Sequence, residues 1–76
     1  MNNENISCEI AVNRVERELI RINEKKATPD DIRMLISDIE KYKNIAGFTE
    51  IMTGKHGPLR ALIGSLKDEL HRLEQN

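Results

Sequence analysis

Apolar residues recur along this chain at alternating steps of four and three, and no useful length of it alternates with the period of two that a strand needs. Cys8, Val12, Val15, Leu19 and Ile22 follow the steps 4, 3, 4, 3, and so do Leu59, Ile63, Leu66, Leu70 and Leu73, which Leu62 joins. Between these two runs Ile32, Leu35, Ile36, Ile39, Tyr42 and Ala46 keep a helical rhythm. At 3.6 residues per turn, such spacing lines apolar side chains along one side of a helix. The expected fold is therefore all-α: a three-helix bundle running up, down and up, or a helical unit that completes its core by dimerisation.

Local signals set the expected helix ends. The first helix is expected over about residues 4–26. In "ATPDD" Thr28 is placed to cap the next helix and Pro29 to occupy its first position, while Asp30 and Asp31 meet the positive end of its dipole. That second helix is expected over residues 29–46, with Gly47 supplying a left-handed ending and Phe48 folding back onto the last turn. If it instead ran on to residue 53, Ile45, Phe48 and Met52 would line up with Met34 on a second side. Gly54 and Gly57 are expected to break any helix, and Pro58 to begin the third, over residues 58–74.

A length of 76 residues implies a single domain, near the lower end of what folds alone and small for an enzyme with a pocket. The apolar inventory is aliphatic, with ten Ile and seven Leu against one Phe, one Tyr and no Trp. Such residues fill helix seams but supply few rigid aromatic anchors. Twelve Lys and Arg nearly balance thirteen Asp and Glu, so no whole-molecule field steers the chain to nucleic acid or an anionic membrane. One cysteine rules out an internal disulfide and suits a reducing compartment. The opening "MNNENISCEI" has no basic stretch leading an apolar run, and no segment approaches a membrane span, so a cytoplasmic protein without membrane contact is expected.

Chemistry-bearing patterns are sparse. Ser7, Ser37 and Ser65 have no evident base, Cys8 sits on an apolar stripe, and His56 and His71 lack ligand-spaced neighbours. Neither catalysis, a metal nor a cofactor is expected. The stretch "TGKHGP" allows an anion-binding loop of Lys55, His56 and Arg60 beside a helix N-terminus, but no strand precedes it as a phosphate loop requires. The preferred reading is a hinge in which Gly57 takes positive φ and the basic residues are solvated.

The first helix is the informative one. Ile6, Ile10 and Ile20 fall opposite its seam, and Arg14, Arg17, Arg21 and Lys25 run beside them at steps of 3, 4 and 4. Like charges so placed repel by about 0.2 to 0.5 kcal/mol per pair. A helix apolar on two sides and edged with cations suits a protein partner with an apolar groove and acidic rim. The expectation is a small non-enzymatic interaction protein, a regulator, inhibitor or adaptor, that self-associates as a homo-oligomer. The alternative is a nucleic-acid-binding accessory protein using the same basic stripe. It is the less favoured because there is no tight helix-turn-helix and aromatics do not interleave with the cations.

Overall fold

The computed structural model describes residues 6–75, which form four helices: α1 (Cys8–Asn23), α2 (Pro29–Tyr42), α3 (Phe48–His56) and α4 (Leu59–Glu74). There is no strand among the described residues. The all-α expectation holds, and the count of three helices is corrected to four.

The start of α1 at residue 4 lies outside the described residues, but residues 6 and 7 are not helical and Ser7 is the N-cap, its Oγ accepting the Ile10 N–H at 3.2 Å. At the other end α1 stops at Asn23 rather than Lys26. Lys25 turns left-handed at φ 63°, the Lys26 N–H reaches back to the Arg21 carbonyl, and the Lys25 N–H bonds to that of Ile22. This is a Schellman ending with lysine in the place usually held by glycine.

Thr28 caps α2 as expected. Its hydroxyl accepts the Asp31 N–H at 3.2 Å, and the Asp31 carboxylate returns the favour to the Thr28 N–H at 3.0 Å. A capping box of this kind satisfies two donors that a helix start otherwise leaves unpaired. The helix ends at Tyr42, not at residue 46 or 53. Tight bonds from the Asn44 and Ile45 N–H groups to the carbonyls of Lys41 and Tyr42 replace the α-helical ladder. Gly47 then takes φ 87° but serves as the N-cap of α3, not as the last turn's closing residue. Ala46, expected on the apolar face of α2, is exposed in this turn.

Phe48 does fold back. It is fully buried, and its ring meets Tyr42 edge-on with centroids 5.6 Å apart. Helix α3 then continues through Gly54, which therefore does not break it, and stops at Gly57, whose φ of 83° and ψ of −175° belong to glycine.

Register follows from cross-helix contacts. Arg21 meets Asp31 and Arg14 meets Tyr42, so α1 and α2 are antiparallel. Arg33 pairs with Glu74, and Lys67 lies near Glu40, so α2 and α4 are antiparallel too. Gly47 lies beside the Cys8 sulfur while His56 reaches Glu16, which sets α3 parallel to the first half of α1. Helices α2 and α3 each pack on both α1 and α4, closing a ring. Ala11, Val15, Ile32, Ile39, Phe48 and Met52, all fully buried, lie in the core the ring encloses, and Leu59, Ile63 and Leu66 complete it from α4.

Chemical denaturation should resolve these end effects. Thr28→Ala should lose about 1 kcal/mol with its cap, and Gly57→Val about 1 to 3 kcal/mol through a disallowed backbone. Gly54→Ala should do the opposite, raising stability by about 0.5 to 1 kcal/mol, because an added β-carbon meets nothing within 4 Å. A destabilised Gly54→Ala protein would contradict the helical course of α3 through that residue.

Candidate functional site

The α1–α2 seam opens outward into a depression whose floor is Val15, Leu35 and Tyr42. Arg14, Arg17 and Glu18 edge it from α1, and Asp31, Met34 and Asp38 from α2. Met34 stands 65% exposed there. A methionine so exposed above an apolar floor is a flexible surface that another apolar group can cover.

Charges at one end of the depression are matched internally. Arg21 donates to Glu18 at 2.9 Å and to Asp31 at 3.1 Å, so the guanidinium links two carboxylates on two helices. The Thr28 backbone N–H, and then the Thr28 hydroxyl and Arg21, hold the Asp31 carboxyl below the usual aspartate range. Farther along, the Arg14 guanidinium donates to the Tyr42 hydroxyl at 3.5 Å. Arg17 and Asp38 have no hydrogen bond or ion pair among the described residues.

The residues singled out on the first helix do not stay together. Ile10, 47% exposed, shares a stripe with Arg14 and Arg17 that faces outward on the α2 side. Ile20, 58% exposed, stands about 80° away around the helix and borders a different depression, with Leu19, His56 and Leu62. Ile6 precedes the helix and packs, partly buried, against the core. Lys25 belongs to the turn, not to the helical stripe. The two-sided apolar face thus separates into two patches.

Met34 and Asp38 complete the first patch, and neither was among the site residues read from the sequence. Met34 entered there only through a second side, with Ile45, Phe48 and Met52, had α2 run on to residue 53. That grouping is corrected: Phe48 and Met52 are core residues of α3, Ile45 is partly buried against the core, and Met34 alone is exposed.

The loop residues also separate. Glu16 Oε2 receives His56 Nε2 at 3.0 Å and Lys55 Nζ at 3.4 Å, so both side chains are turned onto α1 at the end of α3. Arg60 lies elsewhere, beside Glu40, Lys43 and Lys67 in the groove between α2 and α4. Among the described residues no three His, Cys, Asp or Glu side chains are grouped to hold a metal ion, and no helix is long and apolar enough to cross a membrane.

No family model, curated protein or solved structure matches this chain.

The Glu16 cluster carries a pH dependence of known sign. The hydrogen bond from His56 is the main cause that holds the Glu16 carboxyl below its ordinary value of 4.5; partial burial opposes it and Lys55 adds to it. A carboxyl lowered in the folded chain stabilises the fold above its ordinary range, and that contribution is lost as pH falls through the folded value. Denaturation curves taken from about pH 6 to pH 3 should therefore show a smaller acid loss in Glu16→Gln than in the wild type. Identical pH dependence in the two proteins would mean that this contact adds nothing to stability.

Proposed function

We propose that this chain is a small non-enzymatic interaction protein, acting as a regulator, inhibitor or adaptor by presenting the outer α1–α2 face to another protein. The observation that carries the reading is exposed Met34 with the rim charges Arg17 and Asp38 around an apolar floor, while exposed Ile10 extends the Arg14 and Arg17 stripe of α1 beyond it. Apolar groups of this kind supply binding, and edge charges set association rate and register. Arg14 belongs to the same face. Arg21 is reserved for Glu18 and Asp31, so the recognition surface is narrower than the full basic stripe and extends onto α2.

The runner-up is a nucleic-acid-binding accessory protein. It loses support from that same Arg21 chelation, and from the displacement of Lys25 into a turn, because a phosphate backbone is held by cations free to approach it. On the helical stripe that leaves Arg17, with Asp38 across the rim, beside Arg14, which is engaged with Tyr42.

Affinity capture from the native host, with nuclease-treated and untreated lysates, separates the two. The wild type, Met34→Asp and the control Arg60→Ala on the α2–α4 groove are compared. A protein partner retained after nuclease treatment, kept by Arg60→Ala and lost with Met34→Asp, is the expected result. Direct titration with duplex should give weak binding at most. Tight duplex binding with a log-log salt slope of about −3 to −4, indifferent to Ile10→Ala, would overturn the protein-partner reading.

A further inference from the structure

The α1–α2 depression carries one unmatched charge of each sign. Arg17 sits on its α1 rim and Asp38 on its α2 rim, and neither has an ion-pair or hydrogen-bond partner among the described residues. Their neighbours differ, since Arg21 is bound to Glu18 and Asp31. The antiparallel register set by Arg21 with Asp31 and by Arg14 with Tyr42 brings Arg17 and Asp38 to about the same height on their two helices. Exposed Met34 lies about one turn from Asp38 on the same rim.

We propose that a second copy of this chain occupies this face, related by a two-fold axis that runs along the helices. The proposal rests on the protein-partner reading above and names the partner. Under that axis α1 of each protomer lies on α2 of the other, and residues of equal height meet. Arg17 then faces Asp38 of the partner subunit, and the same pairing repeats on the other side of the axis, as an isologous interface demands. The other face-to-face arrangement, with the axis across the helices, brings Arg17 toward Arg17 of the partner subunit and is disfavoured by like charge. Met34, about one turn from Asp38, lies over the methylene stems of the arginines on the facing α1 and shields the ion pairs from water, which raises their selectivity for one register. A net charge of −1 per chain adds no significant long-range repulsion between copies.

Sedimentation equilibrium across the micromolar range tests this, with circular dichroism confirming that each variant is folded. The wild type should be a dimer. Arg17→Asp and Asp38→Arg should each raise the dissociation constant at least about tenfold, because the two-fold axis counts every substitution twice. Mixed together, the two variants should recover a dimer, since one chain then carries acid at both positions and the other carries base at both. Met34→Asp gives an independent arm and should also favour monomer. A monomeric wild type overturns the proposal, as does a dimer indifferent to all three substitutions, or a mixture that fails to recover. If the wild type is monomeric yet loses its captured partner on Met34→Asp, the second copy is excluded while the protein-partner reading survives.

Discussion

Phe48 is the largest side chain wholly removed from solvent, and it arrives there because α2 stops at Tyr42 and the chain turns back within five residues. Its ring closes edge-on against Tyr42, which joins the two aromatic residues of the chain into one contact. An edge-to-face pair adds about 0.5 to 1.5 kcal/mol beyond the area it buries. The larger effect is topological. With Phe48 seated, Met52 follows it inward one turn later, α3 lies along the first half of α1, and α4 can begin on the far side of α2. Without a residue of that size after the turn, the aliphatic seams of α1, α2 and α4 would have an open side.

Cross-helix charges then fix how the seams align. Arg21 with Asp31 ties α1 to α2, Arg33 with Glu74 ties α2 to α4, and Lys55 and His56 with Glu16 tie α3 to α1. Pairs this exposed contribute little individually. Their effect is selective: a slide of α1 along α2 by one turn separates Arg21 from a carboxylate that is simultaneously capping α2. Asp31 is thus shared between local helix initiation and long-range register. This coupling leaves the depression beside it with a defined shape and with Arg17 and Asp38 as its unmatched charges.

Much of this was legible in the spacing of apolar residues. The stripes of α1, α2 and α4 could be read directly, and Thr28 with Pro29 and Asp31 announced the start of α2. Helix α3 was not legible, because nine residues with glycine inside give no sustained stripe, and the penalty for Gly54 is smaller than the gain from burying Phe48 and Met52. The end of α1 was misplaced since lysine rarely takes the left-handed conformation that Lys25 adopts. For the site, helical spacing put Arg14, Arg17 and Arg21 on one stripe, yet it carries no information about a carboxylate on the next helix. Arg21 is therefore committed to Asp31 although its own segment offers it only Glu18. Met34 and Asp38 join the face for the same reason, through a register that only the packed pair of helices defines.

The ring also has a kinetic consequence. Helices α1 and α2 are neighbours in sequence, as are α3 and α4, and the two remaining contacts of the ring skip a single helix. The α1–α2 and α3–α4 closures span short loops of chain, while those that skip a helix join more distant residues such as Glu16 and His56, 40 apart; helical chains of this kind fold in microseconds to milliseconds. The α1–α2 hairpin has its capping box and Arg21–Asp31 pair at its turn, so it is closed by local contacts. Refolding within one chain is then fast and independent of concentration, so any slower phase that accelerates with protein concentration reports the meeting of two finished molecules.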